Sequence, residues 1–283
     1  MTLNLVNFKT FRFNSNTKIS QGGFGLVNFS LIGCCKSYIF HNFHYKRFNP
    51  PHCIIDVMTS RYALYEIDKI RDRFNIENGL PKGVKPHYNI SPTQSVPVIT
   101  NKDGINQIEF MKWGFLPVGA KDDNSIFRYK TFNARSETVF NKPTWMTAIR
   151  SRRCIVPVNG FYEWKTAANG KNPFIIQTTD QSLFGLAGVY SDWTDSGGNT
   201  HKMCAIITID SETSDDMTPS RLPVIILPSD EATWLNPEIN DMSSIYSVMQ
   251  PYDLEKIKVT RVSPDVNSTK IDKPYLVNHF KIS

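Results

Sequence analysis

Apolar residues along the chain fall mostly into short runs bounded by glycine, proline, asparagine, aspartate or serine. Runs of this length that are rich in valine, isoleucine and aromatic residues are typical of β-strands. They predict strands at residues 96–100, 108–113, 154–156, 161–164, 174–178, 184–190, 203–209, 223–227 and 257–262. Asp103-Gly104 predicts a hairpin turn between the first two strands, and residues 196–199 predict a second polar turn.

Helical periodicity is rarer. Four apolar residues spaced three or four positions apart share one face of a helix predicted over residues 63–74. Two further helices are predicted, at 229–235 with Ser229 as N-cap, and at 242–248. The polar stretch 121–130 predicts a long surface loop. Short strands with few helices and no regular βαβ alternation predict an α+β fold, a curled and mostly antiparallel sheet or barrel with flanking helices.

Charge is distributed unevenly along the chain. The formal net charge is +6, and residues 1–57 hold six basic side chains against one acidic one. The other 226 residues carry 26 basic and 25 acidic side chains, so any nucleic-acid surface there must be a local patch. The candidate patch is the arginine cluster at 150–153, with Arg128, Lys130 and Arg135 near it in sequence. A solvated basic face is the alternative interpretation.

The five cysteines show no spacing typical of metal ligands. An odd number without a paired framework is typical of buried thiols in a reducing compartment. Cys154 in particular is expected to be a small buried apolar residue rather than a nucleophile. The chain has no run of 18 or more apolar residues, so we expect no membrane span. The composition implies no metal and no organic cofactor.

The stretch 145–164, WMTAIRSRRCIVPVNGFYEW, carries the clearest candidate chemistry. After a predicted Pro-Val-Asn-Gly turn, strand alternation places Phe161 and Glu163 on one face and Tyr162 and Trp164 on the other. A carboxylate among aromatic rings has a partner or a raised pKa, and a raised pKa suits a general acid or base. The alternative is that Glu163 caps an edge strand and pairs with a nearby arginine.

Five blocks in order identify the chain as similar to a known family. They are YNISP at 88–92, MKWGFLP at 111–117, NARSET at 133–138, RRCIVPVNGFYEW at 152–164 and RLPVIIL at 221–227. Together they resemble the SOS response associated peptidase (SRAP) family of abasic-site processing proteins, over residues 58 to 276. The resemblance implies one domain over those residues, with 1–57 as an N-terminal extension and 277–283 as a tail.

The resemblance also implies a mechanism. Family members use an N-terminal cysteine, exposed after methionine removal, to capture the aldehyde of an abasic site in single-stranded DNA. The amine forms a Schiff base and the thiol closes it to a thiazolidine, while the same cysteine can remove a short propeptide. By this resemblance Glu163 and a histidine shuttle protons, and Asn133 and Arg135 hold the sugar and phosphate.

This chain departs from the family pattern at two of those positions. Thr59 stands where the cysteine is expected, followed by Ser60 in place of glycine, and Pro219 stands where the histidine is expected. A hydroxyl is a poorer nucleophile than a thiolate and needs a base to activate it. The binding half of the site is therefore expected to be kept and the bond-making half to be impaired.

Several residues are therefore predicted to act in the site. The catalytic candidates are Thr59, Glu163 and Asn133. The DNA-binding candidates are Arg61, Asn89, Trp113, Asn133, Arg135, Arg150, Arg152 and Arg153. Base stacking by Trp113 or Phe115 would require a ring face open to solvent. The alternatives are core packing for Trp113-Gly114-Phe115, and hydrogen bonding to the ends of neighbouring strands for Asn133 and Arg135.

The expected partner is single-stranded DNA with abasic sites, bound by a monomer in the cytoplasm and nucleoid-associated if the source is bacterial. Two other functions remain open: a binding module without catalysis, and a hydrolase that uses Thr59 as an N-terminal nucleophile. Residues 1–57 hold eight of the 18 phenylalanines and show no periodicity. We expect Met58 to be the true start, with a weak targeting peptide as the alternative.

Overall fold

The computed structural model describes residues 38–41, 44–47, 59–77, 79–116, 124–167, 170–211 and 220–281. The chain divides into two compact units, Met1–Cys53 and Ile54–Ser283. In the first unit, strands β1 (Tyr38–His41) and β2 (His44–Arg47) form an antiparallel hairpin. Met58 and most of residues 1–57 lie outside the described residues, so the expected start at Met58 stays a prediction.

The second unit contains many short strands and a few short helices. Its strands are β3 (Tyr62–Leu64), β4 (His87–Ile90), β5 (Ser95–Lys102), β6 (Ile105–Trp113), β7 (Asn133–Arg135), β8 (Arg153–Val158), β9 (Gly160–Ala167), β10 (Gly170–Thr178), β11 (Phe184–Thr194), β12 (Thr200–Asp210), β13 (Arg221–Pro223), β14 (Ile225–Ile226) and β15 (Ile257–Arg261). Its α-helices are α1 (Ile70–Arg73), α2 (Asn124–Tyr129), α3 (Ala148–Ser151), α4 (Glu231–Leu235) and α5 (Met242–Val248). Short 3₁₀ turns lie at Ile67–Lys69, Leu254–Lys256, Pro264–Asn267 and Pro274–Val277.

Five strands close into a barrel. In the order β12, β6, β5, β8, β11 each strand pairs with the next, and β11 pairs again with β12. Closure leaves no open edge along this circuit, which removes the unpaired backbone groups that an open sheet would expose. Strands β7 and β13 add to β12, and β14 adds to β11. The pairings of β12 with β6 and β7 are parallel, and the other pairings in this sheet are antiparallel.

A second, antiparallel sheet packs against the barrel in the order β15, β10, β9, β3, β4. Its two faces belong to different cores because successive strand residues point to opposite sides. Tyr62, Phe161 and Ile176 join the main core with the barrel residues. Ala63, Tyr162 and Ile175 join a second core with Val262, Val266 and Leu276 from the C-terminal segment. The predicted alternation of Phe161 and Tyr162 is thus confirmed.

The chain passes from the barrel to the second sheet between β8 and β9. Val158 still pairs with Phe184 in the barrel, whereas Gly160 already pairs with Ala63 in the second sheet. The predicted Pro-Val-Asn-Gly turn is therefore wrong, because the backbone crosses between sheets without reversing. A Cβ on Gly160 would lie 2.8 Å from the Gln177 Cγ and 2.9 Å from a backbone oxygen, so only glycine fits.

Asn159 holds this crossing in place. Its Oδ1 accepts the backbone N–H groups of Tyr65 at 2.8 Å and Glu66 at 3.0 Å, and its Nδ2 donates to Glu66 Oε2 at 2.8 Å. The Asn159 backbone N–H donates to the Ala63 carbonyl at 2.8 Å. The side chain is fully buried and ties the end of β3 to the start of β9.

Several predicted elements are confirmed and others are corrected. The strands predicted at 96–100, 108–113, 174–178, 184–190, 203–209 and 257–262, the hairpin at Asp103-Gly104, the turn at 196–199 and the helix at 242–248 are present. The predicted strand at 223–227 is split into β13 and β14, and the helix predicted from Ser229 begins at Glu231 after Asp230.

The helix predicted over 63–74 is wrong in its first half. Its first residues form β3, which fills the gap between β4 and β9, and helical backbone begins only at Ile67. The predicted loop at 121–130 contains α2, whose Ile126 is fully buried beside Gly114. Pairing and burial that a local pattern does not record therefore override periodicity in both segments.

The crossing predicts a stability effect for Asn159→Ala. The change leaves two partly buried backbone N–H groups without their acceptor, so we expect the free energy of unfolding to fall by about 1–3 kcal/mol. Urea denaturation followed by tryptophan fluorescence measures the change. Asn278→Ala removes the side chain of an exposed asparagine and serves as the control. Equal effects of the two substitutions would contradict this account of the crossing.

Candidate functional site

Thr59 and Glu163 form the centre of the candidate site. Thr59 lies just before β3 and Glu163 lies in β9, and the pairing of these strands brings the two residues together. The backbone N–H of Tyr162 donates to the Arg61 carbonyl at 2.9 Å, which fixes the register next to Glu163. The Thr59 hydroxyl donates a hydrogen bond to Glu163 Oε1. Both side chains are buried, with exposed fractions of 1% and 3%.

Asn133 completes the cluster from the barrel side. It is the first residue of β7, which runs parallel to β12 with Asn133 opposite Ile206. Its Nδ2 donates to the Thr59 backbone carbonyl at 2.6 Å. The structure thus brings together the three predicted catalytic residues, which are separated by up to 104 positions in sequence.

Two polar atoms of this cluster have no hydrogen-bond partner among the described residues. They are Glu163 Oε2 and Asn133 Oδ1, and both are buried. Buried polar atoms without partners are uncommon in native structures and cost free energy, so they need a specific reason. A ligand that brings hydrogen-bond donors into the cluster would satisfy both atoms.

Burial raises the pKa of Glu163 to about 8, and the hydrogen bond from Thr59 offsets only part of that effect. At neutral pH the carboxyl is therefore mostly protonated and can both donate and accept a proton. This is the property that a general acid or base near pH 7 requires. The alternative pairing of Glu163 with an arginine is absent in the described part of the chain, where its partner is Thr59.

Arg61 and Arg135 flank the cluster. The Arg61 Nη1 donates to the Ser60 carbonyl at 2.9 Å, and burial lowers the pKa of its guanidinium. Arg135 is exposed and lies two residues after Asn133 on β7, so both side chains leave the strand on the same face. Arg135, a predicted phosphate contact, therefore lies on the same face of β7 as Asn133.

The three arginines at 150–153 have different environments. Arg153 is buried, and burial lowers the pKa of its guanidinium to about 10. Its guanidinium donates to the backbone carbonyls of Ile149, Arg150, Trp234, Asn236 and Ile239. Arg150 and Arg152 are exposed, and Arg152 lies 3.5 Å from an oxygen of Asp192. The structure therefore leaves two of the three guanidinium groups accessible to a phosphate.

Asn89 and Trp113 lie in the interior. The Asn89 amide donates to the carbonyls of Val266, Ser268 and Ile271, so it attaches the C-terminal segment to β4. Trp113 is fully buried and its indole donates to the Phe132 carbonyl at 2.8 Å. The open ring face that base stacking requires is absent at Trp113, and Phe115 is only 4% exposed.

An ion pair that sequence reasoning did not identify positions the Asn133 strand. Arg221 at the start of β13 makes two bonds to the Glu137 carboxylate, at 2.9 and 3.2 Å, and donates to the Thr208 carbonyl at 2.8 Å. Partial burial would raise the pKa of Glu137, but the hydrogen bonds and charge of Arg221, together with backbone N–H donors, outweigh it and lower that pKa. The sequence carried a signal for this ion pair, because Glu137 lies in the family block at 133–138 and Arg221 in the block at 221–227. Pro219, two residues before Arg221, lies outside the described residues.

Three observations concern metal binding, cysteine reactivity and membrane insertion. Within the described ranges, no three histidine, cysteine or carboxylate side chains converge as metal ligands. Cys154 and Cys204 are buried free thiols, and burial raises the pKa of each. In the same part of the chain, no helix is long and apolar enough to cross a membrane.

Comparison with known proteins gives a consistent result. The family model described as SOS response associated peptidase (SRAP) matches residues 58–269. The abasic site processing protein YoqW of Bacillus subtilis is 37% identical over 223 residues, which cover 78% of this chain and 99% of that protein. The abasic site processing protein HMCES of Gallus gallus is 29% identical over 221 residues, covering 67% of this chain and 65% of that protein.

A solved structure supports the same relationship. The crystal structure of a protein from Bacteroides thetaiotaomicron is 27% identical and superposes with a TM-score of 0.66. The superposition covers 81% of this chain and 100% of that chain. The predicted α+β fold, with a mostly antiparallel sheet closed into a barrel, is therefore confirmed.

The raised pKa of Glu163 predicts a pH-dependent stability difference between the protein and its Glu163→Gln variant. An unfolded glutamate ionises near pH 4.3, whereas folded Glu163 ionises only near pH 8. Relative to the variant, the protein loses stability as the pH rises from about 5 to 8, by roughly 1 kcal/mol per pH unit. Urea denaturation at several pH values measures this difference, with Glu238→Gln as an exposed control. A pH-independent difference would contradict the assignment.

Proposed function

Since this chain belongs to the SOS response associated peptidase (SRAP) family, we propose that it processes abasic sites in single-stranded DNA. The proposed centre is Thr59 with Glu163 and Asn133, and Thr59 takes the place of the family cysteine. Two curated relatives, YoqW and HMCES, are named abasic site processing proteins, which supports the same role here.

One observation carries the proposal. The residue at the cysteine position has its hydroxyl hydrogen-bonded to Glu163 and its carbonyl hydrogen-bonded to Asn133, inside a buried cluster that leaves two polar atoms unpartnered. An ordinary core position would satisfy these atoms within the protein. An arrangement of this kind is suited to a bound polar group such as the opened sugar of an abasic nucleotide.

The proposed chemistry starts from the α-amine of a chain whose first residue is Thr59. A free α-amine has a reference pKa near 7.7–8.0, so part of it is unprotonated at neutral pH. The amine adds to the sugar aldehyde and forms a carbinolamine. Protonated Glu163 then donates a proton to the departing hydroxyl, so that water leaves and an iminium remains. The iminium N–H returns its proton to the Glu163 carboxylate, which gives the imine and restores protonated Glu163.

Ring closure distinguishes this chain from relatives that carry cysteine. The Thr59 hydroxyl adds to the imine carbon, its proton passes through Glu163 to the imine nitrogen, and an oxazolidine results. A hydroxyl is a weaker nucleophile than a thiolate, and we expect the oxazolidine to reopen more readily than a thiazolidine. The covalent product is therefore expected to be reversible. Pro219 further lowers its yield because proline has no side-chain proton to transfer.

The DNA backbone would contact the cations around the cluster. Arg61 and Arg135 lie next to it, and Arg150 and Arg152 add two exposed guanidinium groups. Contacts of this kind set affinity and salt dependence but carry little sequence preference. Arg153 is not included because backbone carbonyls occupy its guanidinium.

The first test is product analysis with a chain that begins at Met58, from which methionine removal exposes Thr59. We expect a crosslink to abasic single-stranded DNA that is visible after borohydride trapping and absent without it. Glu163→Gln should lower the trapped yield while DNA affinity stays unchanged. A variant that carries the family residues at both positions, Thr59→Cys with Pro219→His, should give a crosslink that survives heating without reductant.

Four results would count against this mechanism. One is a heat-stable adduct of the unmodified protein without borohydride. Another is equal trapping by the full chain, in which the Thr59 nitrogen is an amide. Binding without any trapped product would instead favour a binding module, and cleavage of a peptide without DNA chemistry would favour an N-terminal threonine hydrolase.

The second test concerns affinity. We expect tighter binding to single-stranded DNA with an abasic analogue than to intact duplex, and Arg135→Ala should weaken that binding by about 1–3 kcal/mol because a charge-assisted contact is lost. Fluorescence anisotropy at fixed salt measures both effects. Lys171→Ala removes an equal charge at the tip of the β9–β10 hairpin and is the control. Equal affinity for duplex and abasic single strand would overturn the binding proposal.

A further inference from the structure

A cavity lies on strands that also build the candidate site. It has a volume of about 470 Å³, and its floor includes Leu64 of β3 and Ile90 of β4. Residues 82–85 and His87 form one wall, while Pro97 of β5 and Phe110 of β6 form another. Cavities of this size with mixed apolar and polar linings commonly bind small ligands or ligand fragments.

The polar groups of this cavity are mainly hydrogen-bond donors. Lys82 and Lys85 are exposed and have no ion-pair partner among the described residues. His87 is held by Asp272, with 2.7 Å between its Nδ1 and a carboxylate oxygen. Among the described residues, no aspartate or glutamate lines the cavity itself. The charge therefore favours an anionic ligand, and two free ammonium groups suit a phosphate.

The apolar wall offers a flat aromatic surface. Phe110 is 37% exposed and lies opposite Pro97 in the β5–β6 ladder. Gly83 covers part of the ring, since a Cβ added there would lie 3.8 Å from the Phe110 Cζ. A partly exposed ring beside free cations provides a stacking surface for a base and counter-charges for its phosphate.

We propose that this cavity binds one nucleotide of the same single strand whose abasic site occupies the Thr59 cluster. The base stacks on Phe110 and the phosphate contacts Lys82 and Lys85. Leu64 lies five residues after Thr59, so their Cα atoms are at most about 18 Å apart, which a few nucleotides can span. The inference rests on the proposed function for the abasic nucleotide, but it concerns a separate contact with undamaged DNA.

The test compares strands of two lengths by fluorescence anisotropy with the full chain. Each strand carries one abasic analogue, with a single nucleotide on each side of it in the short strand and about 15 nucleotides in all in the long one. The double variant Lys82→Ala/Lys85→Ala should bind the long strand about 3- to 30-fold more weakly and the short strand unchanged. For the long strand, the slope of log affinity against log salt should become shallower by about 0.7 to 1.4, since one or two phosphate contacts are lost.

A matched variant controls for net charge. Lys171→Ala/Lys258→Ala removes two exposed lysines outside the cavity and should leave the affinity for the long strand within about 2-fold. An equal loss with both double variants would overturn the proposal, because it would reflect general attraction. So would an equal loss on short and long strands, or no loss on the long one.

Phe110 separates stacking from charge. Phe110→Leu keeps an apolar side chain against Gly83 but removes the flat ring, so the long strand should bind about 5- to 100-fold more weakly, with an unchanged salt slope. Phe110→Trp keeps a flat ring at this position, so it should bind the long strand about as tightly as the unmodified protein. Unchanged affinity in Phe110→Leu, or a loss that Phe110→Trp does not restore, would overturn the stacking contact. Urea denaturation confirms that each variant is folded.

The two proposals fail in different ways. A long undamaged single strand should show the same dependence on Lys82, Lys85 and Phe110, because the cavity contacts an intact nucleotide. If the protein lacks a preference for abasic DNA while this dependence persists, the proposed function fails and the cavity contact stands. If abasic DNA is preferred and trapped but the cavity variants bind normally, the cavity contact alone fails.

Discussion

The passage of one strand from the barrel into the second sheet is the constraint on which the site depends. At Gly160 the backbone runs so close to β10 that a single added carbon would collide with Ile176 and Gln177. Asn159 fixes the direction of that passage by binding the backbone just after β3. Because β9 leaves this point in a defined register, Glu163, three residues after Gly160, reaches the Thr59 hydroxyl. A shift of one residue would turn Glu163 towards the opposite core.

The interior of this site combines two opposing effects. Placing a carboxyl group in the core costs free energy, which appears as the raised pKa of Glu163. Burial of apolar side chains in the two cores on either side of β9 offsets that free-energy cost. Functional sites often retain such locally unfavourable groups because their chemistry requires a proton that can move at neutral pH. The site is thus destabilising in itself and is supported by the rest of the fold.

Much of the fold follows from local patterns in the sequence. Alternation placed Phe161 and Glu163 on one face, and composition located most of the barrel strands, because both signals are contained in consecutive residues. The three-residue strand β3 gave no such signal, since its pairing depends on β4 and β9. The bond between Asn133 and the Thr59 carbonyl joins residues 74 positions apart and could be expected only from the family resemblance.

The arginine cluster at 150–153 shows that a count of basic residues cannot predict which of them are exposed. Arg150, Arg152 and Arg153 are equivalent in a count of basic residues, yet only tertiary structure places one of them inside a ring of carbonyls. A guanidinium with five N–H groups can satisfy those carbonyls together, whereas an ammonium with three cannot. The position is thus specific for arginine for reasons of packing, while its neighbours need only be cationic.

The C-terminal segment determines when the site can be completed during synthesis. Val262, Val266 and Leu276 close the core behind β9, and β15 pairs with β10 at the sheet edge. The Asn89 amide can form its hydrogen bonds to the carbonyls of Val266, Ser268 and Ile271 only after those residues have been made. A nascent chain emerges from the ribosome N-terminus first, so Thr59 and Glu163 are made long before the residues that enclose their sheet. The barrel strands precede this segment in the chain, so the barrel can form earlier, and the candidate site is enclosed only after residues up to Leu276 have been made.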